Sequence, residues 1–556
     1  MGRSGRRTGR GAAAGAARVA TALGLLLAAA CGRSLYSPPA CSDGIDNDGD
    51  GRTDLADPQC SDPGDDDEGP AGDGGGPDDG ESGADGDADI GSDVDAEVGP
   101  EVDVEADGEA EADAGPDGEA DADGLDDGDA DDAGDDGEVY VPCEDGRPCV
   151  TMPLGRCVSG ACASVWESTT DGDRLGQAVA LQGARSDAAP RLVPGHVLVG
   201  APEAVGHWGH AALRTAATWS PVVSWDGATA LERFGWAVAI GPDLGGTTGL
   251  TLTVGTMTGA DPALWGRVAI YGLATASGPP VQELTGPAEG SAFGTSLAWG
   301  PDVSGDDVED LVVGAPTYRT GSDTLGAAML YSGGTWVQLQ SWSGTSGSQF
   351  GKAVARGPAG GSGRPAMTLV GAPGVDSTYT DDGCAYLYEG TGDGWIWWEC
   401  GEGLQASFGA AVAAGTDANG DGDGDFAVGS PGFDDGIGRV YLRSLAGLLR
   451  SWSGEAEGDD FGWSVALGPD ADGRPGGELL VGAPGVASDR GRVYLFRFDQ
   501  DAPLRTWDGE ASGDRFGCAV SLGGDVDGDG RADALVGACG TGSSPGKVYL
   551  FGSASW

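Results

Sequence analysis

The chain is poor in the residues that most enzymes depend on. Its 556 positions include only three histidines, His196, His207 and His210, and five methionines. Two of the histidines fall in "GHWGH", which has neither the helical HExxH setting of a zinc site nor a further ligand nearby. There is no nucleophile elbow, no phosphate-cradling glycine loop followed by lysine, and no Cys/His nucleophile arrangement. A non-enzymatic protein is expected. Positive charge is heavily outnumbered, 30 Lys or Arg against 89 Asp or Glu: the formal net charge is -59, and residues 61–138 hold 34 Asp or Glu with no Lys, Arg or aromatic residue. Without a basic stripe to displace phosphate counterions, nucleic-acid binding is excluded. That acidic segment cannot bury enough apolar surface to offset chain entropy, so it is expected to be a disordered linker. Its Gly/Asp spacing keeps no fixed period, which argues against a calcium-repeat β-roll.

Long apolar runs are also missing. The one N-terminal candidate, residues 19–30, is too short for a stable membrane span, and it follows a basic stretch holding Arg3, Arg6, Arg7, Arg10 and Arg18. It reads as a secretory signal over residues 1–30. The phrase "LLLAAAC" resembles a bacterial lipobox, which implies cleavage before Cys31, lipidation of that cysteine and a membrane anchor. Ala28 stands where that family prefers Leu, so ordinary signal-peptidase cleavage after an Ala-x-Ala pattern stays open beside it. Either route exports the protein, to a bacterial outer membrane or cell surface or as a secreted chain.

What the sequence does have is glycine, 106 residues of it, and a repeat. The phrase "LGQAVA" at Leu175 returns as "FGWAVA" at Phe234, "FGTSLA" at Phe293 and "FGKAVA" at Phe350, then as "FGAAVA" at Phe408, "FGWSVA" at Phe461 and "FGCAVS" at Phe516. The seven copies are 53 to 59 residues apart. After each comes a run such as "LVVGAP", a third such as "GRVYLFR", and a fourth such as "LRSWSG". Four short runs of β-branched and aromatic residues between Gly, Pro, Asp and Ser turns are strands, and none carries a helical period. Such a unit cannot bury its faces alone. Radial stacking that leaves few edges predicts an all-β, seven-bladed β-propeller over residues 163–556; left-handed helical stacking suits a four-strand repeat less well. The last unit stops after its third strand, whereas an extra fourth-strand phrase, "ASVWES", precedes the first. Residues 163–168 are therefore expected to close the ring as the outer strand of the final blade.

The "FG…DVDGDG…VGAP" phrase resembles the FG-GAP repeat of integrin α-subunit propellers and related bacterial surface proteins. The resemblance implies a calcium loop between the first and second strands of a blade, with ligands met on the opposite face or by inserted domains. No inserted domain is visible in the sequence.

Calcium takes six to eight oxygens, and a tight loop supplies them from side chains at positions 1, 3, 5 and 9. Asp525, Asp527, Asp529 and Asp533 satisfy the pattern in blade 7, Asp417, Asn419, Asp421 and Asp425 in blade 5, and Asp302, Ser304, Asp306 and Asp310 in blade 3. Blade 6 keeps Asp470, Asp472 and Glu478 but puts Arg474 at position 5, so no ion is expected there. An Asx-turn hairpin that merely tolerates carboxylates is the competing reading. A separate stretch, "CSDGIDNDGDGRTDLADPQC", offers Asp46, Asp48, Asp50 and Asp54 between Cys41 and Cys60, and resembles the short calcium loops of thrombospondin type 3 repeats. No helices flank any of these loops, so Ca2+ is expected to act as a structural clip.

Ten cysteines remain once Cys31 is set aside. Cys41 and Cys60 bracket the first motif (residues 31–60), and Cys143, Cys149, Cys157 and Cys162 form a small Cys-rich module over residues 139–162 with its connectivity open. Cys384 with Cys400, and Cys518 with Cys539, fall on neighbouring strands of blades 4 and 7. Closed loops of that size stabilise by about 3 kcal/mol. The tryptophans of the "SW-G" phrase, and those of "GWIWWEC", are expected to pack mostly between blades or over turns. The loops "TYRTGSDTLG" and "GVDSTYTDDG" are the expected contact surface. The chain as a whole reads as a calcium-stabilised surface propeller that binds a protein or carbohydrate ligand. A purely structural envelope component and a propeller glycoside hydrolase, its carboxylates drawn from different blades, are the alternatives.

Overall fold

The computed structural model describes residues 155–555, apart from 183–194, 230, 245–248, 258–264, 289, 359–363 and 542–544. The signal, Cys31, the Asp46/Asp48/Asp50/Asp54 motif with Cys41 and Cys60, the acidic linker, Cys143 and Cys149 lie outside the described residues.

Seven sheets form a β-propeller, each running from an inner to an outer strand. Blade 1 comprises Ala178–Gln182, His196–Ala201, His210–Thr215 and Pro221–Asp226, paired in that order. Blades 2 to 6 repeat this four-strand antiparallel order, with inner strands at Ala237–Gly241, Ser296–Gly300, Ala353–Gly357, Ala411–Ala414 and Ser464–Gly468. Blade 7 supplies only three strands of its own, Phe516–Leu522, Ala534–Ala538 and Pro545–Phe551. Its outer place is taken by Ala161–Asp171, with Ala163 opposite Phe551 and Glu167 opposite Lys547. The expected closing strand is thus present and longer than residues 163–168. A further strand, Gly155–Val158, extends the sheet to five through a tight turn at Ser159 and Gly160, both at positive φ. The sequence reading placed these residues in the Cys-rich module rather than in the blade. Cys157 and Cys162 face one another across the turn, and both are disulfide-bonded.

The repeated phrase is the blade-to-blade joint. Each Phe of the repeat is at most 1% exposed. The glycine after it donates its N–H to the glycine carbonyl of "VGA" in its own blade, as from Gly294 to Gly314 at 3.0 Å. The "VGA" glycine also lies against the Phe-Gly glycine of the next blade: a Cβ on Gly314 would come 2.0 Å from the carbonyl oxygen of Gly351. No other residue fits that approach.

The hydrophobic core is correspondingly divided into seven clusters, each shared by two adjacent blades. One joins Val312, Leu330 and Trp342 of blade 3 to Val370 and Tyr388 of blade 4, and another joins Val197 and Val199 of blade 1 to Leu535 and Leu550 of blade 7. The "SW-G" tryptophans behave as expected. Trp342 stacks on Tyr388 at 4.8 Å and donates its indole N–H to the carbonyl of Gly392, while Trp452 meets Phe496 at 4.7 Å and donates to Gln500. The "GWIWWEC" strand differs. Only Trp397 packs inward, against Phe426 at 4.8 Å; Trp395 and Trp398 are exposed, because the register shifts by one residue at Ile396 and breaks the alternation that would put Trp395 on the face of Trp397. The disulfides Cys384–Cys400, in direct register, and Cys518–Cys539 staple blades 4 and 7.

Candidate functional site

Antiparallel strands place the loop after each inner strand at one end of the propeller and the Phe-Gly and "GAP" turns at the other. The carboxylate loops therefore share one face. In each, the ninth-position acid stands at the start of the second strand or immediately before it and is fully buried: Asp310, Asp425, Glu478 and Asp533 all have no exposed surface.

In blade 3, Asp302 accepts the N–H groups of Gly305 (2.7 Å) and Asp307 (2.8 Å), and Asp310 accepts those of Val303 (2.7 Å) and Gly333 (3.2 Å). Burial alone would raise the Asp302 carboxyl, but these donors hold it below its ordinary value. Asp306 accepts the Ser332 hydroxyl at 2.7 Å and is held down chiefly by it. In blade 7, Asp525 accepts Gly528 and Gly530, and Asp533 accepts Val526 and Ser553. Burial nevertheless pushes Asp533 up to about 7, helped by the Asp527 charge. In blade 5, burial likewise pushes Asp425 to about 7, and its Oδ1 is buried without a hydrogen-bond partner. An orphaned, fully buried carboxylate oxygen among acidic neighbours fits a cation-binding role.

Among the described residues, three groups of carboxylates bring oxygens within 4.8 Å of one another: Asp302, Asp306 and Asp310; Asp470, Asp472 and Glu478; and Asp525, Asp527 and Asp529. These groups could hold a metal ion, and hard oxygens alone suit a hard cation. The blade 5 loop does not gather three in this way. There Asp417 accepts the N–H groups of Gly420, Asp421 and Gly422, as Asp302 and Asp525 accept theirs in the other loops.

Blade 6 corrects one expectation. Its acids converge, and the guanidinium among them belongs to Arg497 rather than Arg474, whose side chain is exposed. Arg497 reaches in from the third strand, with Nη1 at 3.2 Å from Asp472 and 3.9 Å from Glu478, and Nη2 on the carbonyl of Pro475. It stands opposite Glu478 in the strand register. The sequence signal was present, an arginine replacing the serine of "YS" and "RS" at the end of the third strand, but it lies 19 residues beyond Glu478.

At the opposite face the residues just after each Phe-Gly converge on the axis. Gln177, Trp236, Thr295, Lys352, Ala410 and Trp463, from six successive blades, line a cavity of about 520 Å³. Asp381, in the "GVDSTYTDDG" loop, also borders it. The third position of the repeat phrase was the signal for this cavity, and sequence reading passed over it. The histidines do not gather: His196 opens the second strand of blade 1 and His210 the third, at opposite ends of the blade.

The FG-GAP repeat family profile matches residues 293–328 and 408–442, which cover the start of blades 3 and 5. The chain is similar to integrin alpha-PS2 of Drosophila melanogaster, 34% identical over 152 residues, or 24% of this chain and 11% of that protein. It is 30% identical to integrin alpha-5 of Xenopus laevis over 212 residues, 34% of this chain and 20% of the relative, and 29% identical to integrin alpha-4 of the same species over 154 residues, 25% and 15%. The matched stretches thus span a fifth or less of these relatives. The ring is a seven-bladed propeller carrying FG-GAP repeats, similar over part of its length to integrin α chains.

Proposed function

We propose that this chain is an exported, non-enzymatic surface protein whose propeller, clipped by Ca2+, binds a protein or carbohydrate ligand in an adhesion-like role. The observation that carries the reading is the division of the ring into two faces. One face gathers carboxylates with at least one buried oxygen left over, and the other opens a cavity on the axis. In this reading residues 1–30 serve as a signal, Cys31 as a lipid anchor, residues 31–60 as a disulfide-closed calcium motif, 61–138 as an acidic tether and 139–162 as a Cys-rich module before the propeller. A tether of 78 residues has a coil dimension of about 50 Å before charge repulsion extends it.

Calcium would be held by Asp302, Ser304, Asp306 and Asp310, by Asp417, Asn419, Asp421 and Asp425, and by Asp525, Asp527, Asp529 and Asp533. Bound there, the ion supplies charge neutralisation and ties the loop to the start of the second strand. At extracellular calcium levels each site would stabilise by roughly 1–2 kcal/mol through mass action.

The test is a thermal melt of the processed chain in millimolar calcium and in chelator, with bound ions counted by titration. About three propeller ions and a lower melting temperature in chelator are expected. A melt indifferent to chelator sinks the clip role. Retention of the calcium-loaded protein on an array of glycans and surface proteins is expected of a binder, and an array that retains nothing removes the binding role.

A further inference from the structure

The whole chain has two lysines, Lys352 and Lys547. Lys547 is neutralised by Glu510 at 3.0 Å and Asp514 at 3.1 Å. Lys352 is not. It lies in the wall of the axial cavity, and among the described residues no carboxylate comes within 4.0 Å of its ammonium group. Burial lowers its pKa, and no neighbouring charge opposes that shift. In a molecule of net charge -59, a half-buried cation held without a counter-ion marks where a negative group from outside is wanted.

The rest of the lining says what carries that group. Gln177, Gln349 and Gln405 bring three side-chain amides that both donate and accept, which matches vicinal sugar hydroxyls. The hydroxyls of Thr295 and Ser407, which donate to the carbonyls of Ala292 and Gln405, add acceptors. Asp381 adds an acceptor, which a hydroxyl satisfies and a second carboxylate would avoid. Trp236 and Trp463 add indole surface, Trp463 being 43% exposed, and Arg515 lies 5.1 Å from the Trp463 ring. Flat apolar rings beside amides suit the mixed C–H and O–H faces of a pyranose. The cavity, about 520 Å³, falls within the range of about 300–1,000 Å³ that takes small ligands.

We propose that the axial cavity binds a carboxylate-bearing sugar, a uronic-acid unit, with its carboxylate on Lys352 and its ring against Trp236 or Trp463. This deepens the ligand-binding reading above and rests on it. The three roles are separable: Lys352 selects the charge, the amides and Asp381 select the hydroxyls, and the indoles supply contact area.

The experiment is calorimetric titration of the full processed chain with digalacturonate, with the methyl ester of digalacturonate, and with a short glutamate peptide. Variants Lys352→Met, Lys352→Arg and Trp463→Ala are titrated alongside, each first checked for an unchanged melt. Digalacturonate is expected to bind, its methyl ester to bind at least about tenfold more weakly, and Lys352→Met to lose a similar factor that Lys352→Arg partly restores. Amine-reactive labelling supplies a second readout, in which digalacturonate should protect Lys352 and leave Lys547 unchanged. Equal binding of the acid and its ester, or indifference to Lys352→Met, overturns the proposal, as does binding of the glutamate peptide in preference to the sugar. In those cases array retention of some other ligand would leave the broader binding role standing, whereas an empty array would remove both.

Discussion

Gly537 of blade 7 meets Gly176 of blade 1 so closely that a Cβ on Gly537 would lie 2.0 Å from the Gly176 carbonyl oxygen. This is the contact made at every other joint of the ring, here between residues 361 apart in sequence. It shows that the ends of the repeat array meet with the geometry of an internal joint. Because main chain faces main chain, no side-chain adjustment can relieve an added methyl. Gly537→Ala should therefore destabilise by about 3 kcal/mol in a urea melt, whereas Gly394→Ala, whose Cβ would have nothing within 4 Å, should be near neutral.

The closing strand brings its own anchor. Trp166 takes the place that "SW-G" tryptophans hold elsewhere, 6.2 Å from Trp219 of blade 1, with the Arg214 guanidinium 4.0 Å over its ring. Trp166→Ala should cost about 3 kcal/mol. Since the strand has far more main-chain pairing than the ring has alternative routes to closure, deletion of residues up to 171 should lower the cooperativity of the melt as well as its midpoint. An unchanged denaturant slope would argue that blade 7 closes without it.

The ring was legible from the sequence because its signals are local and repeated seven times. The Phe, the two glycines and the β-branched runs each report a contact made in every blade, and the unpaired "ASVWES" phrase followed from counting strands. Features formed once, or across blades, were hidden. Arg497 reaches its acids through strand register, the five-strand edge at Gly155–Val158 depends on one tight turn, and the axial cavity is assembled from residues of several blades. Alternation puts Trp398 on the face opposite Trp397, but the exposure of Trp395, two residues before it, follows from the register shift at Ile396, which no local pattern announces.

Arg497 gives blade 6 a covalently attached cation. Removing it leaves Glu478, which has no exposed surface, beside Asp470 and Asp472 with no positive charge among them. Arg497→Ser restores the residue that Ser332 and Ser444 supply at the matching strand positions in blades 3 and 5. In chelator this variant should lose about 3 kcal/mol, the cost of an uncompensated buried charge. In calcium it should recover much of the loss and bind one more ion than the parent chain. Equal destabilisation with and without calcium would mean that the loop cannot accept an ion even when vacated.

The loop that carries Asp381 to the cavity is organised by its neighbour. Asp382 accepts the N–H groups of Ser377 (2.9 Å), Thr378 (2.8 Å) and Tyr379 (3.0 Å) and the Ser377 hydroxyl (2.6 Å). Burial opposes its ionisation, but these donors prevail and its pKa falls below the ordinary 3.8. A carboxyl whose folded pKa is depressed contributes stability that is fully present above the unfolded value, and that contribution is lost as pH falls through the folded one. Asp382→Asn should therefore be less stable than the parent at neutral pH, and the gap should narrow only below about pH 4. Because the same loop borders the axial cavity, the variant should also weaken any ligand bound there while the calcium count of the opposite face stays unchanged. A gap that is constant from neutral pH down to about pH 3 would show that the loss does not come from the ionised carboxylate.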